Sequence, residues 1–228
     1  MQNNSLINKV RQSIKSGDFL QRVKGYFTYG ETIIRMKMDL EDLPELYEIT
    51  PFRVREINPD SEEDRKQWVE LIDNGYDEED DETIDAVKHF ENHLFLDITN
   101  TYFVMDQELP VATISIGPYK NNRQVGGDAR ISVRKSHQGH GLGKYVILYG
   151  FHKLREQGIS QGETMISVKR TPSIYAHFFC GFRPETDLRK CQYKDHAFYG
   201  NRVLANRRLI GMYDDYQRRK SRKGTVEK

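Results

Sequence analysis

Cys180 and Cys191 are the only two cysteines in this chain of 228 residues. So few exclude a disulfide framework, and they lack the repeated close spacing of a zinc site, so buried or half-buried thiols are expected. Long apolar runs are missing as well. None approaches the length needed to cross a bilayer, and the start Met1-Gln2-Asn3-Asn4 lacks the apolar stretch of a secretion signal. A cytoplasmic protein without a membrane partner is expected. Charge of one sign is also scarce: 35 basic against 34 acidic residues leave a net +1, which gives no global argument for nucleic acid or an acidic partner. The length suffices for one substantial core with appendages.

What the chain does have is concentrated between Ala129 and Phe182. Residues 129–134, Ala-Arg-Ile-Ser-Val-Arg, alternate in the manner of a strand with Ile131 and Val133 on one face. The turn Gln138-Gly139-His140-Gly141-Leu142-Gly143 follows and opens directly into a helical pattern. Glycines there permit positive φ and close backbone approach, so successive N–H groups and the positive end of a helix dipole converge on one anion. Two nucleotide motifs fail on spacing. The dinucleotide fingerprint wants glycine where Lys144 stands, and the ATP loop wants Ser or Thr after Gly143-Lys144, where the chain has Tyr145. The next helix carries Gly143, Ile147, Gly150, Phe151 and Leu154 as an apolar stripe and stops at Gly158. A strand over 163–169, a short helix over 173–180 begun by Pro172, and Gly181-Phe182 complete the stretch.

Gln138, Gly141 and Gly143 fill the coenzyme A loop pattern Gln/Arg-x-x-Gly-x-Gly/Ala, and the order of elements and the closing Gly-Phe pair also agree. In these residues the chain resembles the GNAT superfamily of acyl-CoA N-acyltransferases. The resemblance is closest over 100–185, weaker over 50–100 and absent before that. It implies an α/β fold of the layered α+β kind: a mixed, mostly antiparallel central sheet with splayed parallel strands and helices on both faces. It implies acetyl-CoA as co-substrate, with its pyrophosphate on the N–H groups of Gly139, His140, Gly141, Leu142, Gly143 and Lys144. Its pantetheine arm would run along the backbone of Ile131, Ser132 and Val133, and the Val133 N–H would serve as oxyanion donor. The family's usual acid, a Tyr four residues before the Gly of Gly-Phe, is replaced here by His177, whose ordinary pKa of about 6.5 suits proton donation near neutrality. An ordinary half-buried histidine is the other reading of it, and Tyr175 is the second candidate. Asp128 is the candidate base. Matching from Gln138 puts the family's Glu at Gly127, however, and one residue flips a strand face unless a bulge restores it.

The remaining segments give three expected divisions: 1–49 as an N-terminal extension, 50–198 as the acetyltransferase domain, and 199–228 as a basic helix and tail. Residues 1–24 read as a thin-striped helix and 28–40 as a strand. They shield a sheet edge or form a homodimer contact, or they are the remnant of a preceding domain. Phe52, Val54 and Ile57 mark a first strand. Ser61 with Asp64 resembles a capping box before a helix carrying Trp68, Leu71 and Ile72. The acidic run 77–82 reads as a solvated loop. Thr83 is the expected cap of a second helix with Val87, Phe90 and Leu94 on its apolar face. His89 and His93 share one side of that helix, but Phe90 stands where a zinc-peptidase Glu would be, so no metal is expected. From the family layout, Glu91, His93 and Asp97 are acceptor-side candidates. A hairpin around Asp106-Gln107-Glu108 should end at Gly117-Pro118, and an edge strand is expected over 188–194. The basic positions of 199–223 read first as a solvated helix with a frayed end, and nucleic acid is not the expected partner.

The function expected is transfer of an acetyl group from acetyl-CoA to a primary amine of a small molecule. Transfer to a protein lysine or N-terminus is the second reading. A coenzyme A-sensing or RNA-binding module is the non-enzymatic one.

Overall fold

The computed structural model describes residues 32–76, 85–187 and 199–226. Among these residues seven strands form one sheet in the order β2-β3-β4-β5-β6-β1-β7. They are β1 (Ile33–Asp39), β2 (Arg53–Glu56), β3 (Asn100–Asp106), β4 (Leu109–Tyr119), β5 (Asn122–Val133), β6 (Gln161–Ser167) and β7 (Arg183–Pro184). Among the described residues five helices accompany them: α1 (Glu62–Gly75), α2 (Ala86–Asn92), α3 (Leu142–Glu156), α4 (Thr171–Phe179) and α5 (Tyr199–Val226). β2 to β5 pair antiparallel in succession, and β5 pairs parallel with β6. The expected mixed, mostly antiparallel sheet is present. The chain groups into two compact units, one of 36–164 with 172–183, the other drawn from 1–35, 165–171 and 184–228.

In the first unit β4 is the spine, and successive side chains along it serve opposite faces. Ile114 and Ile116 face α3, where a Cβ on Gly150 would come within 2.8 Å and 2.9 Å of them. Gly150 is therefore small so that helix and sheet can touch. Ser115, between the two isoleucines, faces α2 through His89. Beyond it Ile57, Trp68, Leu71, Ile72, Phe103 and Met105 form a closed apolar cluster. Ser61 caps α1 as expected, its Oγ accepting from Asp64 N–H at 3.3 Å. The return half of the box is absent: Asp64 takes Arg55 and the Asn58 N–H instead.

Several expectations need correction. Asp85, not Thr83, caps α2, its side chain accepting from Lys88 N–H; Thr83 lies outside the described residues. Val87 and Leu94 are exposed, and α2 buries His89, with Phe90 packed on the Trp68 cluster. A stripe of apolar residues suggested the wrong face because an aromatic stack, His89 on Trp68 with centroids 4.5 Å apart, holds the helix. Gly117-Pro118 does not end β4. A Cβ at Gly117 would meet Asp97 O at 1.9 Å, and the Pro118 carbonyl accepts from Asp97 N–H, so the glycine admits a crossing backbone. β5 begins at Asn122, seven residues before the predicted 129, and β6 begins at Gln161 rather than 163.

In the second unit, Val168 N–H donates to Thr32 O and Glu185 N–H to Arg35 O, tying the chain on either side of α4 to the start of β1. α5 is not simply a solvated helix: Ala205 and Leu209, one turn apart, are fully buried, while 218–222 are exposed. The expected helix over 1–24, the acidic loop 77–82 and the strand 188–194 lie outside the described residues. No described helix is long and apolar enough to cross a membrane.

Candidate active site

β5 ends at Val133, and a 3₁₀ turn over Lys135–His137 delivers the chain to the glycine loop. Gly139 and Gly141 both sit at φ +84°, the left-handed region in which a side chain would be strained. His137 moors the turn, its Nε2 lying 3.2 Å from Asp106 Oδ2 on the β3–β4 hairpin and its Nδ1 2.8 Å from Ser136 Oγ. The Gln138 side chain turns back, and its Nε2–H donates to Val133 O at 3.1 Å and Gly75 O at 3.5 Å. Gly141 caps α3 with no side chain to satisfy the first amides. Among the described residues, no hydrogen-bond acceptor is found for the N–H groups of 139–143, and a Cβ on Gly139 would meet nothing within 4 Å. Free amides, open space and the N-terminus of a 15-residue helix make a cradle that fits a pyrophosphate.

The strand beside this cradle is open on one edge. Parallel pairing of β5 with β6 is confined to Val125–Gly127 against Gln161–Glu163. From Asp128 onward β5 keeps only β4. Arg134 N–H is used on Val111 O of β4, and because backbone groups alternate along a strand, the N–H and C=O of Val133 face the open edge. The register of β4 and β5 slips between Thr113 and Ser115, where Ala129 and Ser132 are the partners. Two residues, Arg130 and Ile131, thus oppose Ile114 alone in a β-bulge, and Arg130 takes the positive φ of +53°. Ser132 is buried, its Oγ donating to Leu71 O of α1.

The bulge lies between Asp128 and Gln138. Asp128 and His177 are brought together: His177 Nε2 is 3.6 Å from Asp128 Oδ1, with the side chains 0% and 7% exposed. His177 is fully buried rather than half-buried. Its Nδ1 lies 2.8 Å from the Ser173 carbonyl, an acceptor only, so Nδ1 carries a hydrogen and Nε2 is the atom that gains or loses one. At that distance they are not hydrogen-bonded, and neither Nε2 nor Oδ1 has a hydrogen-bond partner. Tyr175 stands on another face of α4, its ring 5.8 Å from that of Phe178. Cys180 is also buried nearby. Burial, helped by the Asp128 charge, pushes its thiol up to about 12 and leaves it inert.

Across β4, a buried chain runs from His89 Nε2 to Ser115 Oγ at 2.7 Å and on to Thr101 Oγ1 at 2.8 Å. Burial, with the His93 and Arg130 charges, pushes His89 down to about 3; burial with Arg130 and Lys120 pushes His93 down to about 4. His93 Nδ1 accepts from Leu96 N–H. Of the other acceptor-side candidates, Glu91 pairs with Arg65 at 3.6 Å, and Asp97 accepts from Arg123. Among the described residues no three His, Cys, Asp or Glu side chains are placed to hold a metal ion. No residue pattern marks the left-handed Arg130 or Tyr47, whose hydroxyl donates to Gly141 O at 3.3 Å.

The profile of the Acetyltransferase (GNAT) family matches residues 54–182. Among solved structures, a GCN5-related N-acetyltransferase from Sphaerobacter thermophilus is similar at 15% identity and a TM-score of 0.55, over 74% of this chain and 53% of that one. A GCN5-related glucosamine N-acetyltransferase region of a fungal multi-domain GH3 β-N-acetylglucosaminidase is similar at 12% identity and a TM-score of 0.50, over 76% of this chain and 22% of that one. This chain thus spans about half or less of these relatives, and at such identities they show the fold. No curated protein matches it in sequence. With the family profile covering more than half of its length, and with the amide cradle and splayed strand in place, the chain belongs to the GNAT family of acetyltransferases, whose acetyl donor is acetyl-CoA.

Proposed function

We propose that this chain is an N-acetyltransferase that passes the acetyl group of acetyl-CoA directly to the primary amine of a small molecule. One observation carries the reading: the unpaired edge of β5 from Asp128 to Val133 runs into a loop whose amides have no partner among the described residues. An anion cradle continuous with a strand edge suits a pyrophosphate followed by an amide-bearing arm. When bound there, the coenzyme supplies an acyl thioester. The amides of Gly139 to Lys144 hold the pyrophosphate, and the backbone of Ile131, Ser132 and Val133 aligns the arm. The Val133 N–H steadies the oxyanion.

Asp128 and His177 handle the proton. With Nδ1–H fixed on Ser173, Nε2 is the nitrogen left to exchange a proton, with Asp128 Oδ1 3.6 Å away to steady it. It takes a proton from the amine as the C–N bond forms and returns one to the sulfur as the C–S bond breaks. On the acceptor side, His89 and His93 are uncharged near neutrality and do not repel an ammonium, while the Asp128 carboxylate attracts it.

Calorimetry with acetyl-CoA, followed by thiol release with a panel of primary amines, tests the proposal. Tight binding and turnover on free amines is the expected result. Turnover confined to peptides overturns the acceptor class, and binding without thiol release from any amine or peptide overturns the catalytic reading.

A further inference from the structure

The link between β1 and β2 lies along α3, tied to it from end to end, and the reading above gives it no task. Leu40 N–H donates to Ser160 O at 2.9 Å, just beyond the C-terminal end of the helix. Arg155 Nη1–H and His152 Nε2–H donate to the carbonyls of Leu40 and Pro44 at 3.5 Å and 2.8 Å, and the buried side chains of Leu40 and Leu43 fasten the same stretch. At the far end Tyr47 donates its hydroxyl to Gly141 O at 3.3 Å, with its ring edge-on to Tyr145 at 5.6 Å and to Phe179 at 6.4 Å. Partial burial, with Cys180 and Tyr145 beside it, raises the Tyr47 pKa above its ordinary value, so the hydroxyl keeps its hydrogen. The whole strap precedes residue 54, where the family match begins.

Gly141 sits at φ +84°, and a glycine is the residue least able to hold its own conformation. Its surroundings give it little support. Only Tyr47 Oη would come within 4 Å of a Cβ built there, and nothing would at Gly139. The Gly141 carbonyl also takes the Tyr145 N–H at 3.1 Å, the hydrogen bond that opens α3. Because a peptide unit is planar and trans, a carbonyl held on one side sends the N–H of the next residue, Leu142, to the other side, where it joins the free amides of the cradle. We infer that Tyr47 is a positioning residue for donor binding: its hydroxyl fixes the Gly141–Leu142 peptide so that the loop amides stand ready for the pyrophosphate before it arrives. The inference rests on the proposed seating of the pyrophosphate. It adds that a segment outside the family match pre-forms the cradle, so that binding need not order two unsupported glycines.

Tyr47→Phe tests this, since it keeps the ring against Tyr145 and Phe179 and removes only the donor. It should raise the KM for acetyl-CoA about fivefold, the worth of one neutral hydrogen bond, with kcat and the melting temperature unchanged. Inorganic pyrophosphate, used as an inhibitor competing with acetyl-CoA, should weaken by the same factor, because it meets only the amides. In the unliganded protein the Tyr145 amide should exchange its hydrogen faster, while amides in the middle of α3 keep their rates. A weaker hold on acetyl-CoA with pyrophosphate inhibition intact would make Tyr47 a direct ligand contact and overturn the positioning role. An unchanged KM, a fall in kcat or unchanged Tyr145 exchange would overturn it too. Failure of pyrophosphate to inhibit even the unaltered protein would overturn the proposed seating itself, and the positioning role with it.

Discussion

His177 has no exposed surface, and its one free ring nitrogen faces Asp128 Oδ1, a buried oxygen without a hydrogen-bond partner. Removing that carboxylate while keeping its shape isolates the proton function. Asp128→Asn should lower kcat on the order of a hundredfold, the usual worth of positioned acid–base help, with the affinity for acetyl-CoA measured by calorimetry unchanged. A parallel loss of affinity would assign Asp128 to binding instead. His177 was legible in the sequence because it stands at a fixed offset from Gly181-Phe182. The direction of Asp128 was not, because it depends on a bulge whose left-handed residue is an arginine. Glycine marks such a turn in a sequence, whereas Arg130 at φ +53° is held there by its surroundings.

Helix α1 braces the open strand. Its last residue, Gly75, lies so close to β5 that a Cβ would fall 2.0 Å from Ser132 Oγ and 2.8 Å from Val133 O, and its carbonyl also accepts from Gln138. Gly75→Ala should cost about 1–3 kcal/mol of stability, the range for overpacking, and raise the KM for acetyl-CoA, both readable by melting and steady-state kinetics. Helix α2 makes a different prediction. The unfolded chain protonates His89 near pH 6.5, whereas in the fold it resists to about 3. The unfolded state therefore binds more protons in that window, so the His89 contribution is whole above about pH 6.5 and drains away as pH falls toward 3. Between pH 6.5 and 5 that is about 2 kcal/mol. Melting at pH 7 and pH 5 should show His89→Gln losing less stability than the unaltered protein. The short apolar stripe of α2 concealed this packing from the sequence, since a histidine stacked on Trp68 looks like any polar residue until its partner is known. The glycine turn, α3 and α4 were readable because glycine placement and helical period are local signals, fixed without reference to distant residues.

Across the whole molecule, the chain groups into two units, and the second holds the C-terminal helix. With Ala205 and Leu209 fully buried, ending the chain before Tyr199 should cost about 2 kcal/mol or more, the worth of exposing a leucine and what it covers, and lower the melting temperature. An unchanged melting curve would restore the solvated reading of α5. The sheet has a second consequence, for the order of synthesis. β1 hydrogen-bonds between β6 and β7, so a strand that leaves the ribosome well ahead of both waits for β2 to β5 and α3 to be made before either neighbour exists. Throughout that interval its backbone is an unclaimed template. Nascent fragments that stop short of β6 are therefore the species in which this protein is most exposed to aggregation and most dependent on chaperones.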